Sequence, residues 1–326
     1  MNPELIWRPL ARTDIPAMAR LLAAAEAVDR TSEHLDEADL SEEVDDESLD
    51  LATDTVGVFE QTALVGLGLV RGHSVARDVH NVQLWGAVHP DKRGQGIGRG
   101  ILAHQLHRGA HLHAERHPTH RGRLELRPYD HCEAHVRLAR AAGLSPVRHW
   151  FDMERDLSGP LPAVPPAPAG LRVVPYSVDL DDDVRRAHNA AFADHFGATE
   201  RDQESWRQWF TGSRAFRPEL STVVLDGPEV VAFLLSYFYE ADAAADGFAE
   251  GWIGQVGTVP AQRRQGIGTT LIAGALTAYR EAGFSRAALD ADSDSGTGGL
   301  GIYHRLGFTV ARKRTSYVRE LPAAEK

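Results

Sequence analysis

Val88-His89-Pro90-Asp91-Lys92-Arg93-Gly94-Gln95-Gly96-Ile97-Gly98 and Thr258-Val259-Pro260-Ala261-Gln262-Arg263-Arg264-Gln265-Gly266-Ile267-Gly268 are two copies of one phrase, offset by 170 residues. Pro90, Arg93, Gln95, Gly96, Ile97 and Gly98 recur as Pro260, Arg263, Gln265, Gly266, Ile267 and Gly268. The contexts repeat as well. A strand-like run precedes each copy, Val82–Val88 and Trp252–Val259, and a helix-like run follows, Arg99–Glu115 and Thr269–Glu281. A second strand comes next, Arg123-Leu124-Glu125-Leu126 and Ala287-Ala288-Leu289-Asp290. A short helix and a glycine turn then close each half, at Ala142-Gly143-Leu144 and Leu306-Gly307-Phe308. Repeats at this scale are the first thing a sequence should be searched for.

Strand, Arg-x-x-Gly-x-Gly, helix is a pattern for holding an anion. Glycine reaches backbone conformations closed to other residues and lets a ligand approach the main chain. The first helical turn presents N–H groups with no partner inside the helix and a partial positive charge, which suits a phosphate. The arginines can add charge-assisted contacts. Two nucleotide motifs compete for the loop and both fail. A P-loop needs Gly-Lys-Ser/Thr, but the chain reads Gly98-Arg99 and Gly268-Thr269. A dinucleotide fingerprint needs a third glycine where Ile101 and Leu271 stand.

The 326 residues exceed what one core usually serves, and a soft prior of roughly 150 per domain gives two. Ser158–Gly170 carries five prolines in 13 residues, so neither a helix nor a central strand can cross it. It reads as a stiff spacer between residues 1–157 and 171–326. Apolar runs such as Ala63–Val70 and Val230–Tyr239 are strand-sized, far short of the roughly 18 residues of a membrane span. Met1-Asn2-Pro3-Glu4 lacks the basic and apolar regions of a signal peptide, and Cys132 is the one cysteine, so the expected compartment is the cytoplasm. A net charge of −11 argues against a nucleic-acid partner.

On these motifs the chain resembles the GCN5-related N-acetyltransferase (GNAT) superfamily, whose signature Arg/Gln-x-x-Gly-x-Gly/Ala both loops fit. Gly298-Gly299-Leu300-Gly301-Ile302-Tyr303-His304-Arg305-Leu306-Gly307-Phe308 looks like the family's closing motif, in which a tyrosine precedes Leu-Gly-Phe. Two such halves are similar to the tandem two-domain type of mycothiol synthase and related tandem acetyltransferases. The resemblance implies an α/β (α+β) chain of two tandem GNAT-fold domains, each a mixed, mostly antiparallel sheet flanked by helices. It implies acetyl-CoA as co-substrate. The diphosphate would lie on the amides of Arg93, Gly94, Gln95, Gly96, Ile97 and Gly98 in one half and of Arg263, Arg264, Gln265, Gly266, Ile267 and Gly268 in the other. The pantetheine would run beside Val88 and Val259. The implied reaction is direct acetyl transfer to the primary amine of a small molecule in a ternary complex, with no metal, nucleic acid or membrane involved.

The family gives the proton for the departing thiolate to the tyrosine of the closing motif. Here that is Tyr303, while the first half has Ala139 at the matching place. The second half is therefore expected to be catalytic, and the first to be non-catalytic while keeping an acyl-CoA loop. For the base, Glu250 stands just before the strand that leads to the second loop, with a solvated loop acid as the alternative reading. Asp290 and Asp292 end the next strand and have helix-entry or turn roles as alternatives. Ser295 occupies a place where relatives often carry Asn.

Other features are weaker. Between Glu26 and Asp54 lie 13 acidic residues and one arginine, read as a solvated face, or else as a rim that draws a cationic substrate. Of 16 histidines, 13 precede residue 151, and His104, His107 and His111 share a helix face. Surface histidines are favoured over a metal site. Cys132 reads as an inert thiol, and Trp206, Trp209 and Phe210 as core. Two alternatives to the small-amine enzyme stay open: a non-catalytic CoA-binding regulator, and an acetyltransferase acting on a protein amine.

Overall fold

A computed structural model describes residues 5–46, 48–293 and 299–324. The chain forms two compact units, one of residues 1–149 and 314–326, the other of residues 150–313.

In unit 1, β1 (Leu5–Arg8) leads through α1 (Ile15–Asp29), α2 (Glu37–Val44) and α3 (Leu51–Asp54) to the meander β2 (Thr55–Glu60), β3 (Ala63–Gly72) and β4 (Val79–Val88). Then come α4 (Ile97–Arg116), β5 (Arg121–Leu126), α5 (Glu133–Ala141) and β6 (Ser145–Asp156). Strands β1 to β4 pair antiparallel in succession. β4 and β5 run parallel, as strands joined by a crossover helix can.

Unit 2 repeats the plan. β7 (Leu171–Pro175), α6 (Asp181–Phe192), α7 (Gln203–Trp206), β8 (Thr222–Asp226), β9 (Glu229–Tyr237), α8 (Glu240–Asp246) and β10 (Glu250–Thr258) come first. They are followed by α9 (Ile267–Glu281), β11 (Arg286–Asp292), α10 (Gly299–Arg305) and β12 (Thr309–Leu321). β7, β8, β9 and β10 are antiparallel neighbours, and β10 and β11 are parallel. Each sheet is thus mixed and mostly antiparallel, with helices on its faces.

The Pro-rich segment does not by itself separate the two units. β6 precedes that segment, yet Trp150–Asp156 pairs antiparallel with β11 of unit 2. The tail of β12, Tyr317–Leu321, pairs with β5 of unit 1. Each unit therefore takes its last strand from the other half of the sequence, and a boundary at residues 157 and 171 misses this exchange. Alternation of apolar residues says that a segment is a strand but not which open edge will receive it.

The sheet of unit 2 is packed on both faces. On one, Ile267, Leu271 and Leu276 of α9 meet Ala287 and Leu289 of β11. On the other, Trp206 stacks on Phe210 at 4.7 Å, and both join Phe233 in the core, where each large side chain contributes roughly 1.5–3 kcal/mol by burial. The acidic stretch of unit 1 is largely structural. Asp36 and Asp50 cap α2 and α3, Asp54 binds Arg108, and Glu43 binds Arg71.

Candidate active site

The two glycine loops fold alike. After β10, Pro260–Gln262 makes one 3-10 turn, and the chain enters α9 through Gly266 at φ 84°. The corresponding turn in unit 1 is Pro90–Lys92, and Gly96 leads into α4 at φ 88°. No side chain caps either helix. A Cβ built on Gly96 or Gly266 would meet nothing within 4 Å, so the glycines are required by backbone conformation and the space over them is open. One position earlier in the pattern the halves differ. Gly94 sits at φ 76°, whereas its counterpart Arg264 holds φ 65° with a full side chain, a strain of about 1 kcal/mol. Open, uncapped helix starts fit the diphosphate of a coenzyme A thioester.

The side chains of Arg93 and Arg263 turn away from that space. Arg93 Nε donates to Val88 O at 3.1 Å, and its two Nη atoms donate to the Asp29 carboxylate at 2.7 Å each. Arg263 Nε donates to Thr258 O at 3.3 Å and Nη2 to Ala191 O at 2.9 Å. Each arginine ties the loop to the end of its strand and to the helix in front. Gln265 donates to Gln262, and Gln95 to the Asp91 carbonyl. What the loops offer an anion is therefore chiefly backbone.

Both sheets open beside their loops. The last parallel pair between β4 and β5 is Leu84↔Leu126, and between β10 and β11 it is Ile253↔Leu289. Beyond these pairs the strands part, leaving main-chain groups of Gly86–Ala87 and of 254–257 for another partner. Unit 2 has one extra residue here. The β9–β10 register shifts between Ile253 and Gln255, a bulge at Gly254 that unit 1 lacks between β3 and β4. A Cβ at Gly254 would collide with the Tyr237 ring. Val259 follows the open stretch, its N–H bonded to Val231 O at 2.9 Å.

Tyr303 lies on α10, half-buried beside the core that holds Val256 and Val259, its ring edge-on to Phe308 at 6.2 Å. Burial, and then the charge of Asp290, push its phenol up to about 12, so it stays protonated at neutral pH. Ala139, in the matching place on α5, is fully buried in the core of unit 1. Asp292 ends β11, buried, opposite Trp150 of β6, and Asp290 shares its face of the strand, opposite Asp152.

Glu250 is elsewhere. It begins β10, paired in register with Arg286. That is three residues before the strands part, about 10 Å by strand rise. It lies 3.7 Å from Arg286 Nε, in a network where Arg286 and Arg312 also bind Glu154. Burial and the neighbouring Glu154 raise its pKa to about 7. The structure thus brings Tyr303 towards Asp290 at the open end and leaves Glu250 at the closed end. Ser295 and Gly298 lie outside the described residues.

Sequence reasoning missed the bulge, the turned-back arginines and the polar lining of the opening in unit 1, where Glu125 and Tyr129 stand. Glu125 lies in a run that reads only as an alternating strand. The histidine run contributes ring contacts: His80 stacks with His113 at 5.3 Å and meets His117 at 4.5 Å. Among the described residues no group of three or more His, Cys, Asp or Glu could hold a metal ion, and no helix is long and apolar enough to cross a membrane.

A mixed sheet whose central parallel strands part beside a positive-φ turn and an uncapped helix is the fold of the GCN5-related N-acetyltransferases, present here twice. Over 99% of the chain it is similar to a GCN5-related N-acetyltransferase from Sphaerobacter thermophilus (TM-score 0.76, 23% identity, 98% of that chain). It is also similar to a tandem GNAT protein from the clavulanic acid biosynthesis pathway (TM-score 0.70, 16% identity, 100% of that chain). The acetyltransferase (GNAT) family model matches residues 182–308. The mycothiol acetyltransferase of Thermobispora bispora is 31% identical over 227 residues, 68% of this chain and 70% of the relative. That of Catenulispora acidiphila is 31% identical over 231 residues, 68% and 67%. The chain belongs to the acetyltransferase (GNAT) family and is an acetyl-CoA-dependent N-acetyltransferase of the tandem, mycothiol synthase-like type.

Proposed function

We propose that unit 2 transfers the acetyl group of acetyl-CoA to the primary amine of a small molecule by direct attack in a ternary complex. The observation that carries this reading is Tyr303, a phenol kept protonated beside the open end of β10 and β11. Acetyl-CoA supplies the activated acyl group as a thioester. The amides of Arg263 to Gly268 hold its diphosphate, and the open main chain of β10 up to Val259 guides the acyl end. A backbone N–H there polarises the thioester carbonyl. As the amine nitrogen bonds to the carbonyl carbon, the C–S bond breaks and the sulfur takes the Tyr303 proton. The proton of the incoming amine leaves to the carboxylates of this sheet face, Asp292 nearby and Glu250 through water. Glu250, with a pKa of about 7, is tuned for such a transfer at neutral pH.

Unit 1 keeps the same loop, so Val88 and Arg93 to Gly98 can hold a second acyl-CoA. With Ala139 in place of the tyrosine it does so without turnover. The relatives named mycothiol acetyltransferases make the amine that those enzymes acetylate the first acceptor to try. A thiol-release assay over an amine panel containing it tests the reading. Tyr303→Phe should lower kcat by ~10²-fold or more and leave coenzyme A affinity unchanged. Near-full turnover in that variant would remove Tyr303 from the mechanism.

A further inference from the structure

The bulge of β10 sets unit 2 apart from unit 1, and one side chain sits hard against it. Gly254 does not hold a positive φ, so conformation does not demand glycine there. Space does. A Cβ at Gly254 would lie 2.4 Å from Cε2 and 2.5 Å from Cδ2 of Tyr237. The Tyr237 ring thus fills the place that a side chain on the bulge would take. Tyr237 of β9 pairs with Trp252, and the register shifts two residues further on, between Ile253 and Gln255.

The ring has little room to retreat. β8 pairs with β9 no further than Thr222↔Leu234. Beyond that point residues 215–217 take over, with Arg217 N–H donating to Ser236 O and Phe238 N–H to Ala215 O, each at 2.8 Å. Phe216 bridges to Tyr237, its ring 5.7 Å away, and the Tyr176 ring stands 5.2 Å behind Phe216. Tyr237 is 5% exposed, and its hydroxyl has no hydrogen-bond partner among the described residues. A buried donor without a partner costs stability, so what Tyr237 gives this fold is the bulk of its ring.

Unit 1 supplies the contrast. The antiparallel pair one residue before the last parallel pair is Tyr237↔Trp252 in unit 2 and Arg71↔Gln83 in unit 1. Arg71 turns to Glu43 at 2.6 Å, and the β3–β4 register runs on without a shift. The half with a ring at this place has the bulge. The half with a tethered guanidinium has none. A bulge re-aims the strand that carries it. Gly254 begins the open stretch of β10, so its placement decides where the next N–H groups point.

We propose that Tyr237 is a positioning residue for acetyl transfer: its ring wedges the bulge at Gly254 and thereby fixes the main chain that polarises the thioester carbonyl. The proposal rests on the reading of unit 2 as the catalytic half.

Infrared difference spectroscopy of acetyl-CoA labelled with carbon-13 at its carbonyl, bound to the full-length protein, reads the polarisation directly and needs no amine. Acetyl-CoA held by unit 1 adds the same band to parent and variant, so any difference belongs to unit 2. The downshift of the carbonyl band should shrink in Tyr237→Leu, while coenzyme A affinity, set by the loop amides, stays within ~2-fold. It should shrink as well in Gly254→Ala, which displaces the bulge without altering β9. The thiol-release assay uses the panel amine whose turnover Tyr303→Phe lowers most. There Tyr237→Leu should lower kcat at least ~10-fold, and Tyr237→Phe, which keeps the ring, should stay within ~2-fold. Gly254→Ala should cost at least ~10-fold in the parent and under ~3-fold in Tyr237→Leu, where the methyl meets no ring. An unchanged band in Gly254→Ala, or in a Tyr237→Leu protein that binds coenzyme A normally, would overturn the proposal. So would equal losses from Gly254→Ala in both backgrounds, or a loss in Tyr237→Phe as large as in Tyr237→Leu. Failure of the catalytic reading looks different: Tyr303→Phe would then leave turnover intact, whereas failure of the wedge leaves the Tyr303 effect in place.

Discussion

One buried imidazole in each unit should cost stability as the pH is lowered from 7.5 to 5. In unit 2, His188 lies among Phe192, Trp206, Phe210 and Phe233, 6% exposed. In unit 1, fully buried His80 makes an Nε2 contact with the His73 carbonyl at 3.1 Å and an Nδ1 contact with His113 Nδ1 at 3.1 Å. A carbonyl only accepts, so Nε2 carries the hydrogen, and the neutral His80 ring accepts from His113. Protonating His80 would set two N–H groups head to head. Burial is the main cause that drops both imidazoles to about 4. The unfolded chain, near 6.5, binds protons that the folded chain refuses, so stability is complete above that value and is lost as pH falls from about 6.5 towards 4. At pH 5 the linkage relation gives about 2 kcal/mol for each histidine, a large share of a typical 5–15 kcal/mol. Urea unfolding followed by tryptophan fluorescence at pH 7.5 and 5 measures it, and His188→Gln and His80→Gln should each flatten the dependence. Glu250, raised to about 7, works in the opposite sense in unit 2 and gains stability as pH falls, so the comparison is between parent and variant. A parent–variant difference that is the same at both pH values would refute the reasoning.

Three other outcomes are expected. Gly254→Ala should cost about 1–3 kcal/mol and reduce turnover, because the new methyl collides with the Tyr237 ring and displaces the bulge; thermal unfolding and the thiol-release assay read the two effects. Arg93→Ala leaves the partly buried Asp29 carboxylate without its bidentate partner and should destabilise unit 1 by about 3 kcal/mol in denaturant unfolding. If Glu250 takes the amine's proton, kcat/KM should fall as pH drops below about 7, since the base must be ionised, and Glu250→Gln should abolish that limb of the profile.

The tandem fold was legible because its deciding elements are local. The loop glycines, the strands before them and the helices after them announce themselves by spacing alone, and Trp206 and Phe210 fall in the core as their helical spacing suggests. Less of the site could be read. Arg93 and Arg263 sit where an anion ligand would, but Asp29 lies 64 positions from Arg93 and Ala191 lies 72 from Arg263, distances at which sequence gives no hint of contact. Glu250 and the loop stand at the two ends of one strand of nine residues, a separation that sequence adjacency does not show. The bulge was hidden by its smallness: a single extra residue at Gly254 changes no apolar pattern strongly enough to be noticed.

The traded terminal strands have a practical corollary. Proteolysis or gene splitting within the proline run would yield an N-terminal fragment whose β5 loses the neighbour supplied by Tyr317–Leu321, and a C-terminal fragment whose β11 loses Trp150–Asp156. Each would expose a bare row of amides and carbonyls along that strand, an invitation to aggregate. Each half of the sequence thus completes the sheet that the other half builds.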